Sequence, residues 1–258
     1  MKLRTALVIG GIFAAQLATA QPVPSSTSST TSIQDQWNFS ITPYLWGLGV
    51  TGSLSNNVAS KPIKATLGDL LSDMKFIAMF TAEARTPQYG LYLDALYGDL
   101  GTSVAKVVGR SDLNANITSQ LSMITLAPNF RLYSSKSSHV DGLIGARYLG
   151  LNTKTTISDP ALNVSTKFKV TENITTAVAG VKGRFNLGDS NYFVPFYVDA
   201  GGGQHSSFTS QAYLGIGRAY DWGDVSLVAK NVYYNFKVEN ANVDLNMLGA
   251  AVGVTFRF

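Results

Sequence analysis

The chain of 258 residues has no cysteine, only two histidines, and 14% charged residues, where about 25% is usual in soluble domains. The missing thiols exclude cysteine catalysis and thiolate metal sites, and a domain of this size does not need disulfides. The two histidines, His139 and His205, stand far apart in sequence, so no metal centre is expected. Basic runs are also missing. The formal charge of +4 includes Lys2 and Arg4, which leaves 4 − 2 = +2 on the rest, too mild to point to nucleic acid. Beyond the first twenty residues no apolar run approaches the roughly 20 residues of a spanning helix, and no helical period persists. Gly201-Gly202-Gly203 opens no helix, so it is not a phosphate loop. It marks a bulge or a close backbone approach. No cofactor is implied.

What is present begins at the start of the chain. Residues 1–20 (MKLRTALVIGGIFAAQLATA) combine a short basic start, an apolar run and a small-x-small end at Ala18-Thr19-Ala20. This reads as a secretory signal peptide cleaved after Ala20, without a cysteine for lipid attachment. Residues 21–36 (QPVPSSTSSTTSIQDQ) are rich in Ser, Thr and Pro without periodicity and read as a flexible leader. Residues 37–258 fit one domain.

That domain is dominated by period two, the signature of strands with two unlike faces. Phe39, Ile41, Pro43 and Leu45 alternate with Ser40, Thr42, Tyr44 and Trp46. The final strand sets Leu248, Ala250, Val252, Val254, Phe256 and Phe258 against Gly249, Ala251, Gly253, Thr255 and Arg257. Ten such strands can be counted. The ninth, Val225–Val238, alternates poorly, and a bulge is expected there to shift its parity.

The connections alternate in length. Thr86–Gln88, Ser134–Ser138, Gly188–Asn191 and Asp221–Asp224 are short, whereas Ser53–Asp73, Val108–Ser119 and Ser158–Thr166 are longer and polar. Short turns at one end and longer loops at the other are expected of an all-β, antiparallel, up-and-down transmembrane β-barrel. An even strand number returns both termini to the short-turn side. Trp37, Tyr89, Tyr133, Tyr192, Tyr220 and Trp222 all fall at that end, as an aromatic girdle at the lipid headgroups would.

The two faces are assigned by composition. A water-facing strand surface carries many Lys and Glu. Here the mixed face is mostly Gly, Ala, Ser, Thr, Asn and Tyr, which suits a crowded interior. The apolar face is then the lipid face, and closure leaves no unpaired edge for lipid to penalise. The inward parity collects Glu83, Asp94, Asp141, Glu172 and Asp199, together with Arg85, Arg131, Arg147, Lys182, Arg184 and Arg257. In a narrow lumen these charges are expected to pair, because an isolated buried charge is very costly.

On Val252, Val254, Phe256 and the terminal Phe258 the sequence resembles the small outer-membrane β-barrel proteins of Gram-negative bacteria, broadly OmpA-like or OmpW-like. The resemblance covers the signal peptide and residues 37–258. It implies outer-membrane lipid as surroundings, the barrel assembly machinery as reader of the last strand, periplasmic termini and extracellular longer loops. Ten strands depart from the eight usual in both groups, so no specific activity is carried over. A monomer is favoured.

Catalysis is the weaker expectation. His205 and Ser207 form an H-x-S pair similar to that of outer-membrane lipid A deacylases. A triad also needs an acid to orient the histidine. Asp199 is too far along its strand, which leaves Glu239 as a cross-strand choice. The expected role is a structural barrel or a passive narrow pore, not an enzyme. Lipid modification and loop-mediated adhesion are the alternatives.

Overall fold

The computed structural model describes residues 37–55, 60–104, 114–135, 138–159, 164–203, 207–238 and 241–258. The expected signal peptide and leader lie outside them. The elements run β1 (Asn38–Ser55), β2 (Ser60–Ala65), α1 (Leu67–Ser72), β3 (Met74–Arg85), β4 (Tyr89–Val104), β5 (Asn114–Ser134) and β6 (Ser138–Asp159). They continue with β7 (Val164–Asn186), β8 (Tyr192–Gly203), β9 (Phe208–Tyr220), β10 (Gly223–Val238) and β11 (Ala241–Arg257).

Each strand from β3 to β11 pairs antiparallel with its sequence neighbour, β3 also pairs β1, and β11 returns to β1. The register of closure runs from Ser40↔Arg257 to Ser55↔Asn242. Phe39 and Phe258 exchange backbone hydrogen bonds of 3.2 and 2.9 Å and finish the seam. The result is a closed barrel of ten strands, β1 and β3–β11, with β2 as an eleventh strand outside the ring. Closure pairs every strand of the ring on both sides in the lower barrel, where β1 meets β3 over Asn38–Pro43, and the two part above that level.

Three expectations need correction. The connection Ser53–Asp73 is not all loop. β1 continues to Ser55, β2 folds back on Val50–Ser55, and α1 follows. α1 begins with a capping box in which Thr66 and Asp69 satisfy each other's backbone N–H. It stands where β1 parts from β3, with Leu70 turned to the interior cluster. Second, the other long connections are shorter than expected. β5, β6 and β7 have 21, 22 and 23 residues, about twice the 9–11 that cross a bilayer. Third, β10 has no bulge. It pairs without a register shift to both β9 and β11.

The irregular alternation of β10 has another cause. Its outward parity changes from Val225, Leu227 and Ala229 to Asn231, Tyr233, Asn235 and Lys237, while its inward parity changes from Asp224 and Lys230 to Val232, Tyr234 and Phe236. The strand turns its polarity inside out without turning over. Its neighbours do the same at the same level. Inside, Tyr44, Thr81, Asp94, Thr125, Arg147 and Thr176 give way to Trp46, Met79, Leu96, Met123, Leu149 and Ile174. Outside, Leu248 gives way to Asn246, and Asn246 accepts a hydrogen bond from Asn231.

The lower barrel therefore has an apolar exterior and a polar interior, as a lipid-embedded barrel requires. The upper barrel has a polar exterior and an apolar core, as a water-soluble barrel requires. Trp46, Leu149, Ile174, Val232, Tyr234, Phe236 and Met247 belong to one buried cluster that fills the upper lumen. Burial of such side chains contributes about 1.5–3 kcal/mol each.

Candidate functional site

The lower lumen is the only part of the molecule where charged side chains converge in a buried space among the described residues. Strand alternation puts them there, since each lies on the parity opposite the exposed Leu, Val and Phe of its strand.

Two levels can be distinguished. At the upper level, Lys230 Nζ lies 3.0 Å from Asp94 Oδ2 and donates to the Tyr44 hydroxyl at 3.0 Å. Tyr44 Oη donates to Asp94 Oδ1 at 2.8 Å, and Gln211 Nε2 donates to Asp94 Oδ2 at 3.0 Å. β4 is third and β9 eighth in the ring counted from β1, so the Gln211–Asp94 bond spans the full diameter. Beside it Arg147 is fully buried. It pairs with Asp199 and donates to Thr125 Oγ1 at 2.9 Å and Thr209 Oγ1 at 3.1 Å. Asp199 also accepts from the Tyr197 hydroxyl and from the backbone N–H of Gln211.

The lower level faces the short-turn mouth. Arg85 and Arg131 share Asp141, with Arg85 Nη1 at 3.1 Å. Lys182 Nζ lies 2.7 Å from Glu83 Oε2, and Asn129 donates to Oε1 of the same carboxylate at 3.2 Å. Arg184, at 2.9 Å, and Arg257 share Asp224 Oδ2. Above the mouth and below the Lys230 level is a cavity of ≈ 340 Å³. Tyr44, Tyr92, Phe193 and Tyr213 give it apolar walls.

Of the eleven charges singled out in the sequence, ten meet in these two levels. Glu172 does not join them. It lies on the inward parity above Ile174, at the apolar level, and forms no ion pair among the described residues. Sequence reasoning missed Lys230, Gln211 and Tyr44 as partners of Asp94, and Asp224 as partner of Arg184 and Arg257. Lys230 was hidden by the irregular pattern of β10. Asp224 was read as a turn residue, whereas it is the first inward position of that strand.

Trp37, Tyr89, Tyr133, Tyr192, Tyr220 and Trp222 are all exposed at the short-turn end. Tyr220 stacks on Trp222 at 5.5 Å, and Trp222 meets Phe256 at 6.0 Å. Val252, Phe256 and Phe258 are exposed on the outer face of β11, and Val254 is half-buried there. His205 and Glu239 lie outside the described residues. Ser207 is buried beside the turn between β8 and β9, where Gly203 N–H donates to its carbonyl at 3.2 Å. The close backbone approach read into the glycine run is at Gly201, where a Cβ would stand 1.8 Å from the Ala177 carbonyl oxygen.

No family model matches the chain, and no curated protein matches it. Among solved structures the chain is similar to the translocator domain of the autotransporter NalP from Neisseria meningitidis. Identity is 15% over 88% of this chain and 90% of that one, with a TM-score of 0.43. It is similar to Ail, the attachment invasion locus protein of Yersinia pestis, at 14% identity over 86% of this chain and 100% of that one, with a TM-score of 0.31. It is also similar to the toluene transporter TbuX of Ralstonia pickettii, at 11% identity over 88% and 90% of the two chains, with a TM-score of 0.37. Likenesses of this size assign no activity. The closed ring of ten strands with an apolar exterior has the architecture of the outer-membrane barrel class that the sequence resembles.

Proposed function

We propose that the chain is a structural outer-membrane barrel, closed to solutes, that carries the long strands β5–β7 above the outer leaflet as a presentation surface. The observation that supports this most directly is the filled lumen. An ion-paired layer that reaches across the diameter lies beneath an apolar cluster, and both would have to be breached by a permeating ion. Barrels of eight strands are just filled by side chains and those of sixteen or more hold water. A ten-stranded barrel with Trp46, Tyr234 and Phe236 inside stands with the former.

In this reading the short-turn end, with its exposed aromatics, faces the periplasm, and the signal peptide delivers the chain there. The barrel assembly machinery reads the last strand, in which Val252, Phe256 and Phe258 are offered outward. The protein acts as a monomer surrounded by lipid and performs no catalysis. Conductance of the folded protein in a planar bilayer tests the proposal. Bilayers holding inserted protein should show no steps. Reproducible steps from the unmodified chain would refute the closed barrel and restore the narrow pore.

A further inference from the structure

The closed lumen leaves a cup open at one end, and the cup is not electrically neutral. Five side-chain cations stand at the mouth, Arg85, Arg131, Lys182, Arg184 and Arg257, against three side-chain carboxylates, Glu83, Asp141 and Asp224; with the α-carboxylate of the last residue, Phe258, which also lines the cavity, the surplus is 5 − 4 = 1. The placement of the charges sharpens this. The carboxylates of Asp141 and Asp224 are 0% and 8% exposed, whereas the guanidinium side chains of Arg184 and Arg257 are 21% and 49% exposed. Both arginines rest on a single oxygen of Asp224; Arg184 also donates its Nε to Asn186 Oδ1 at 2.8 Å, and the remaining donors of each fork face no carboxylate. At Arg184 and Arg257 an arriving solute meets donors before the carboxylate behind them, whereas at the Lys182 pair Glu83 is the more exposed partner.

Behind the arginines the wall becomes aromatic. Arg184 lies 3.6 Å over the Phe193 ring, and Tyr213 stacks on Tyr197, which packs on Tyr92 at 5.7 Å. The cavity that Tyr92, Phe193 and Tyr213 line is ≈ 340 Å³, within the range of small-molecule pockets, with Tyr197 packed behind them. Its floor is Tyr44 with Lys230. A shallower depression at the rim shares His139, Arg184 and Arg257 with it and adds Ser134, Ser138 and Asn186.

We propose that this cup binds a small organic anion with a flat aromatic body. The ring lies against Tyr92 and Tyr213, and the anionic group takes charge-assisted hydrogen bonds from Arg184, held over the Phe193 ring, and from Arg257. Inorganic anions lack the part that fills the aromatic wall. Neutral aromatics lack the part that offsets the charge surplus.

The test is calorimetric titration of the protein in lipid nanodiscs with 2-naphthalenesulfonate, referenced to empty nanodiscs. Naphthalen-2-ylmethanol and sodium sulfate are the two controls. One site per chain is expected, with each control at least about tenfold weaker. Arg184→Gln and Arg257→Gln should each weaken the sulfonate about tenfold or more, the loss of one charge-assisted hydrogen bond. Arg257 is half exposed, and circular dichroism with heat-shifted gel mobility verifies that its variant folds. Absence of a saturable signal up to millimolar concentration overturns the proposal. So does sulfonate binding that Arg257→Gln leaves unchanged, or a control that binds as tightly as the sulfonate.

Discussion

Replacing Asp94 by Asn removes the charge at the centre of the upper polar level. The Lys230 ammonium, 3% exposed as a residue, is then left without an opposite charge, with the Tyr44 hydroxyl as its acceptor. An uncompensated buried partner of this kind costs about 3–5 kcal/mol. Lys230→Met has a similar cost, since Asp94 keeps its charge but only two neutral donors, Tyr44 and Gln211. The double variant D94N/K230M contains no charge at this level. Its cost should fall below either single variant, to about 1–3 kcal/mol for imperfectly matched hydrogen bonds. Additive costs would reach about 6–10 kcal/mol, so the cycle predicts a coupling of several kcal/mol. Urea unfolding in lipid vesicles, followed by tryptophan fluorescence, measures all four corners, with Trp46 in the buried cluster as internal probe. A double variant that loses the sum of the singles would refute direct pairing across the lumen.

Two further outcomes follow from other parts of the fold. Phe236→Ala should cost about 3–5 kcal/mol in the same unfolding assay, because Phe236 is 1% exposed in the upper cluster. A cost below about 1 kcal/mol would mean that the upper lumen is not packed. At α1, Thr66 donates to Asp69 through its backbone N–H at 2.8 Å and its hydroxyl at 2.7 Å, which holds the carboxyl below its usual range. A depressed folded value means the cap is fully formed above the unfolded value of about 4 and is lost as pH falls through the lower, folded one. The amide resonance of residue 66 should therefore titrate below the usual range, and less far below it in Thr66→Ala, which loses the hydroxyl donor and keeps the backbone N–H. Titration of Asp69 at the ordinary value in the unmodified chain would contradict the capping box.

The strand count of the ring, its closure and its lipid face were legible because outward side chains such as Leu45, Leu126, Ile144 and Leu214 sit in unbroken period two. Charge sign and parity also placed Arg147, Asp199, Lys182 and Glu83 in the lumen, where the structure pairs them, but did not say which cation meets which carboxylate. Three things were not legible. A strand that passes from lipid into water must exchange its polar and apolar faces, and in one dimension this is indistinguishable from a bulge, so β10 was misread. Glu172 shares a parity with Lys182, but parity says nothing of height along the barrel. Partners on facing walls, such as Gln211 and Asp94, are 117 positions apart. Their meeting depends on the tilt and stagger of all ten strands, which no local pattern records.

The level at which every long strand exchanges its faces works as a waterline. Below it the hull is apolar and the hold is charged; above it both are reversed. Here a rise of one pleat would lift about ten apolar side chains out of lipid, at roughly 10 kcal/mol. A fall of one pleat would sink the amides of Asn231 and Asn246 into it. The draught of this barrel is thus written into its strands, and bilayers of different thickness must adjust to the protein.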